Sequence, residues 1–336
     1  MRTLYPVDCV STRPSYCPVH ALSLEQLNIS HHWGAGVLVI NRYLAEENVT
    51  RAKKELEFLL EYLNHQDFRR ELAVELRGPN KLSIYDRGNR LAELTFLSGN
   101  KYRVRTNIKF IEGTALNRDG KFSYVTKGSD AVFAVPARGM HSLLQKKHLQ
   151  QMRARIRDVN YKEELRVAHM IAADTSMGED VVVIDREVGD SAPELPRQRL
   201  DLLALQQVEG DRYRFLAVEV KLGNNPELNE EARHRIGARA GAEQLEEYVA
   251  HIDQYFDDYA DCYQRNVEQK FKLGLLSSWT APPRIINDTK GLLAVVGYMG
   301  MAEDHLQKIK EEHPNLWVKT FDYRLESGDG EIKGLL

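Results

Sequence analysis

The period of the apolar positions changes along the chain, and the changes divide it. Ala52, Leu56, Leu59, Leu60 and Leu63 recur at spacings of three and four, which predicts helix within 37–63 with one apolar face. The period then shortens to two. Residues 81–97, KLSIYDRGNRLAELTFL, hold two short runs around the turn signal Asp86-Arg87-Gly88-Asn89. In KYRVRTNIKFIEG (101–113), Tyr102, Val104, Thr106, Ile108 and Phe110 alternate with polar neighbours. These runs predict an antiparallel meander in the first 135 residues. Residues 136–160 turn polar, basic and helical in pattern, which places a domain boundary near Pro136. Beyond them, helix is expected over 162–172, strands over 181–188, 197–206 and 213–222, and one long helix or two over 230–265. A strand over 291–300, a helix over 302–313 and a last strand over 316–325 complete the pattern. Strands interleaved with helices predict a mixed sheet with helices packed on it. The expected organisation is an α+β domain over 1–135, serving recognition, sensing or dimerisation, a basic helical connector over 136–160, and an α/β domain over 161–336.

Length agrees, since 336 residues at ~150 per domain make about two domains. With 43% hydrophobic and 28% charged residues and only 11 Pro, collagen-like and low-complexity chains are excluded. The net charge of −3 means that no global basic field draws the protein to nucleic acid, so such a site must be a local patch. One candidate is the run from Leu144 to Arg166, with seven basic side chains against three acidic ones. Such a run forms either a solvated helix face or a patch that tracks phosphates. Three scattered cysteines build no disulfide framework and point to a reducing compartment. The first twenty residues lack the apolar core of a signal peptide, and no apolar stretch reaches the ~18 residues of a membrane helix, so a cytoplasmic location is expected. Cys9, Cys17, His20, His31 and His32 cluster near the N-terminus, at spacings that match no strong zinc pattern.

The chemistry concentrates in Asp201 and, eighteen residues later, Glu219-Val220-Lys221. On a strand over 213–222, Tyr213, Phe215, Ala217, Glu219 and Lys221 share one face, while Leu216, Val218, Val220 and Leu222 share the other. A carboxylate and an amine at i and i+2 on so apolar a strand are costly to bury without partners. Asp201 likewise interrupts an apolar strand, where Asp is depleted. If the two strands pair across Glu209-Gly210-Asp211, Asp201 approaches Glu219. A divalent cation relieves the repulsion between them, and hard oxygen ligands suit Mg²⁺ or Mn²⁺. Such an ion activates water and neutralises charge on a phosphate, with the Lys221 ammonium stabilising the same transition state. A structural alternative is a Glu219–Lys221 salt bridge at a strand end, with Asp201 paired to Arg197 or Arg199.

Asp201 followed by Glu219-Val220-Lys221 resembles the core of the PD-(D/E)xK nuclease superfamily. The resemblance implies that Asp201 and Glu219 bind metal and that Lys221 assists phosphodiester hydrolysis. It further implies a helical glutamate ahead of the three strands, for which Glu164 in the sequence KEEL is the candidate. Gln244-Leu-Glu-Glu-Tyr248 is similar to the Q-x-x-x-Y motif of the RecB-like branch, with both side chains on one helix face. The residue before Asp201 is Leu200 where the superfamily often has proline. The resemblance covers about 140 residues. It implies a restriction-endonuclease-like mixed sheet flanked by helices, preceded by a smaller α+β domain. It also implies a Mg²⁺-dependent deoxyribonuclease of restriction, phage defence or repair, working as a homodimer. In that reading Gln244, Tyr248, Arg199 and Arg239 contact or position DNA. The alternative is a catalytically inactive module that binds nucleic acid or a partner on the same fold.

Overall fold

The computed structural model describes residues 40–64, 72–118, 120–159, 163–175, 180–189, 199–229, 241–276, 281–297 and 303–321. All of them lie in one compact unit spanning 38–336. Cys9, Cys17, His20, His31, His32, Arg197 and Arg239 fall outside the described residues.

Helix α1 (Glu46–Glu55) opens on Glu46 and Glu47 and closes on Lys53 and Lys54, charges that oppose the helix dipole at each end. The apolar stripe continues through Leu56, but the backbone breaks there and restarts as α2 (Glu57–Asn64). Strands β1 (Leu72–Leu76), β2 (Lys81–Asp86), β3 (Asn89–Leu97), β4 (Lys101–Asn107), β5 (Tyr124–Lys127) and β6 (Asp130–Pro136) form an antiparallel sheet in the order β1-β2-β3-β4-β6-β5. The alternation expected over 101–113 stops early. The Asn107 side chain accepts the Lys109 N–H at 3.0 Å and starts a one-turn helix, α3 (Ile108–Ile111), that buries Phe110 and Ile111. A further short turn, α4 (Ala115–Arg118), follows.

The β2–β3 turn is built by Arg87 and Gly88, with φ of 49° and 81°, the two positive values that a tight hairpin turn needs. A Cβ on Gly88 would run into the backbone of Leu165, whereas one on Gly99 (φ 65°) would meet nothing. Gly99→Ala should therefore cost only the left-handed penalty, about 1–2 kcal/mol. Gly88→Ala should cost measurably more in urea unfolding, and equal losses would show that the turn does not press on Leu165.

Helices α5 (Ala137–Leu143) and α6 (Lys146–Val159) carry the basic run. Leu149, Met152 and Ile156 of α6 join the apolar core of the first sheet. Arg153 is buried 3.3 Å from Asp86, and Arg155 pairs with Asp158 at 3.7 Å. Part of this basic run therefore serves the interior and not a phosphate-tracking face.

The second sheet follows α7 (Glu163–Thr175). It contains β7 (Val181–Val188), β8 (Leu200–Glu209), β9 (Arg212–Leu222), β10 (Arg284–Val296) and β11 (Leu316–Phe321), in the order β11-β10-β9-β8-β7. β7, β8 and β9 are antiparallel neighbours, while β10 and β11 run parallel to β9. Parallel β9 and β10 need a long crossover, and α8 (Gly241–Gln254) and α9 (Phe256–Lys272) lie in it, separated at Tyr255. Helix α10 (Glu303–Glu312) precedes the edge strand β11. The two faces of β9 divide as the alternation predicts. Leu216, Val218 and Val220 pack with Val167, Ala168 and Ile171 of α7. Tyr213, Phe215 and Ala217 pack with Leu245, Tyr248, Tyr259 and Tyr263 of α8 and α9. The fold is thus α/β, a mixed five-stranded sheet flanked by helices and preceded by a smaller α+β part.

A buried polar network joins the two sheets. Asp185 of β7 takes Arg77 Nη1 at 2.5 Å, Arg42 Nε at 3.4 Å and the Tyr263 hydroxyl at 2.7 Å. Lys270 Nζ of α9 reaches both Glu75 of β1 and the Ile184 carbonyl at 2.6 Å. No helix among the described residues is long and apolar enough to cross a membrane.

Candidate active site

β8 and β9 pair as a hairpin with Leu202 opposite Val218 and Leu203 opposite Ala217. That register sets Asp201 beside the end of β9, where its Oδ2 accepts the Val220 N–H at 2.9 Å. Glu219 and Lys221 continue the face of Phe215 and Ala217. They reach the start of α8, where a Cβ on Gly241 would come within 2.9 Å of Lys221 Cε, so the missing side chain makes room for the lysine stem.

Lys221 Nζ lies 2.7 Å from Glu219 Oε1 and 2.7 Å from Glu227 Oε2, while Glu219 Oε2 is buried without a hydrogen-bond partner. Glu219 and Lys221 are 4% and 7% exposed, so little water screens these charges. Burial and the neighbouring Glu219 push the Asp201 carboxyl well above the usual carboxylate range, against the pull of the Val220 N–H and Lys221. Burial also raises Glu219, with Lys221 opposing. Burial disfavours the Lys221 charge too, but Glu219 and Glu227 outweigh it and hold the amine protonated above its ordinary range. Lys221 is therefore a fixed cation here and not a base.

Glu164, on the first turn of α7, is half-buried and accepts a hydrogen bond from Asn225 Nδ2 at 3.1 Å. Its charge adds to the upward push on both Asp201 and Glu219. Its neighbour Glu163 is exposed. Arg199 is exposed at the entrance to β8, and the bond partner of Asp201 is a backbone amide and not this arginine. Gln244 and Tyr248 share the inner face of α8, 4% and 2% exposed. Tyr248, Tyr259 and Tyr263 belong to the core, and Phe215 meets Tyr259 and Tyr263 edge-on with centroids 6.3 and 6.0 Å apart. These three tyrosines are core packing and offer no stacking platform for bases.

Two functional-looking carboxylates escaped the sequence reading. Glu227 lies six residues beyond Lys221 in a polar turn, and only the fold brings it back. Asp185 carried a signal, an Asp-Arg pair inside the apolar run VVVIDREV. Apart from the adjacent Arg186 N–H, its partners Tyr263 and Arg77 are 78 and 108 residues away.

Carboxylate oxygens suit a hard divalent cation, and a buried, unpartnered Glu219 Oε2 beside a repelled Asp201 is a place where such an ion gains. Among the described residues, no three His, Cys, Asp or Glu side chains stand arranged to hold a metal. The Lys221 ammonium takes up the charge of Glu219 and Glu227 instead. The donor types, carboxylate oxygens, suit Mg²⁺ or Mn²⁺ in chemistry, although no three of them converge in this arrangement among the described residues.

No family model and no curated protein matches the chain. A solved structure, the crystal structure of a repair endonuclease from Pyrococcus abyssi, aligns over 85% of this chain and 99% of its own at 12% identity, with a TM-score of 0.23. At that score the likeness supports no inference about fold or function.

Proposed function

We propose that the protein is a metal-dependent nuclease that hydrolyses phosphodiester bonds in DNA. The observation that carries this reading is the half-buried Asp201 held at the end of β9 by the Val220 N–H and pushed up by the buried Glu219, whose Oε1 lies 2.7 Å from the Lys221 ammonium. Asp201 and Glu219 would hold Mg²⁺ or Mn²⁺, with Glu164 completing or neighbouring the shell. The ion supplies Lewis-acid stabilisation of phosphate charge and a water nucleophile at neutral pH. Lys221, kept protonated by its carboxylates, stabilises charge developing on the phosphate. The Val220 N–H orients the Asp201 carboxylate. Gln244 and Tyr248, both buried, hold α8 in place beneath the lysine stem. Exposed Arg199, and Arg239, would contact the DNA backbone. Cutting both strands of a duplex takes two such sites, so a homodimer belongs to the same proposal.

The test is cleavage of labelled single- and double-stranded DNA by purified protein with Mg²⁺ or Mn²⁺. Cleavage is expected, with loss in EDTA and a drop of about a hundredfold or more in Lys221→Ala, comparable to loss of one transition-state donor. The reading fails if neither DNA nor RNA is cut with either ion. One observation favours a second reading, a binding module without hydrolysis: the ammonium already pairs with Glu219 Oε1. That module would bind DNA equally well in EDTA and gain no thermal stability from Mg²⁺.

A further inference from the structure

The turn after β9 is tied into the site at both ends of one side chain. Asn225 Oδ1 accepts the Glu227 N–H at 2.9 Å, and Asn225 Nδ2 donates to Glu164 Oε1 at 3.1 Å. Pro226 fixes the start of the short 3₁₀ turn Pro226–Leu228. This places Glu227 Oε2 2.7 Å from Lys221 Nζ, the same distance as Glu219 Oε1 on the other side. The side chain of Glu227 is 25% exposed, whereas that of Glu219 is 6% exposed. One ammonium is thus shared by two carboxylates: that of Glu219, whose other oxygen is buried without a hydrogen-bond partner, and that of Glu227, whose side chain is the more exposed and whose backbone N–H is held by Asn225.

We propose that Glu227 is a positioning residue for Lys221. It tethers the ammonium, so that Glu219 can turn its charge to a divalent cation while Lys221 stays beside the reacting phosphate. The inference rests on the nuclease reading of this site. With Glu227 in place, the ammonium keeps a partner when Glu219 turns. Without it, cation binding must break the one ion pair that holds a buried lysine, which is strongly unfavourable. A neutral residue at 227 should therefore weaken cation binding and slow turnover as two separate effects.

The experiment compares the full chain with Glu227→Gln, Lys221→Ala and the double variant. Mn²⁺ affinity is measured by calorimetry, the single-turnover rate on DNA at saturating Mn²⁺, and folding by unfolding temperature. Glu227→Gln is expected to fold as the wild type does. Its Mn²⁺ affinity and its saturated rate should each fall about 10–100-fold, as for loss of a group that orients a metal ligand. In the Lys221→Ala background the same change should have no further effect. Wild-type values for Glu227→Gln overturn the proposal. An equal loss with Lys221 already removed also overturns it, because Glu227 then acts directly and not through the lysine. If the wild type binds Mn²⁺ but cuts nothing, the nuclease reading falls, and the calorimetric coupling of Glu227 to Lys221 still decides the tether.

Discussion

Asp201→Asn should abolish cleavage and, at the same time, stabilise the metal-free protein. Asparagine keeps an oxygen for the Val220 N–H, so the local hydrogen bond at 2.9 Å survives. What disappears is a half-buried carboxylate whose charge dehydration and Glu219 both oppose. Removing one of two repelling carboxylates commonly raises stability by ~0.5–2 kcal/mol when function required the strain. The same substitution removes a ligand for the cation that would stabilise the phosphate. A loss of about 4 kcal/mol of transition-state stabilisation is a thousandfold in rate. Added Mg²⁺ should stabilise the wild type by mass action and leave Asp201→Asn unmoved. Unfolding temperatures with and without Mg²⁺, beside single-turnover rates, check both halves. An Asp201→Asn protein that cuts DNA at the wild-type rate would remove Asp201 from the site, and a less stable one would show that its charge is paid for by partners.

The second large effect concerns stability alone. Asp185 is fully buried, and Arg77, Arg42 and the Tyr263 hydroxyl converge on it. Asp185→Asn leaves those guanidinium groups in the interior without their anion. Breaking a buried pair from one side costs about 3–5 kcal/mol, and urea unfolding should show a loss of that size. A change below about 1 kcal/mol would mean that the network contributes little. The pH dependence adds a sign. Burial opposes the Asp185 charge, but Arg77, Arg42 and Lys270 outweigh it and hold the folded carboxyl below the usual value of 3.8. The unfolded chain then binds the proton more readily, so this stabilisation is present above about pH 4 and is lost as pH falls through the folded value. The gap between wild type and Asp185→Asn should therefore narrow in acid. Cleavage by Asp185→Asn should persist wherever the variant remains folded, because Asp185 lies in the network joining the sheets and not among the site carboxylates.

Much of the candidate site's arrangement was legible because it is built on a hairpin. A period of two assigns Glu219 and Lys221 to one face whatever packs on them, and the turn at Gly210 brings Asp201 back to the same strand end. The Asp86–Asn89 turn was legible for the same reason, since Arg87 and Gly88 adopt the backbone that a tight turn requires. Less was legible where two periods fit one short run. Ile108 and Phe110 suit a strand as well as a helical turn, and the Asn107 cap decided for helix. The basic run at 146–157 showed its charge but not its burial, because only the neighbouring Asp86 makes an interior place for Arg153.

By itself, the order of residues determined the alternating faces of β9, its hairpin with β8 and the acid–acid–amine set at its end. These are short-range consequences of backbone geometry and turn chemistry. Tertiary structure alone decided which carboxylates hold Lys221, how far Asp201 is driven from its ordinary ionisation, and that Asp185 is locked by Arg42, Arg77 and Tyr263. Those outcomes depend on dehydration and on distances between segments far apart in the chain, and neither composition nor spacing encodes such distances.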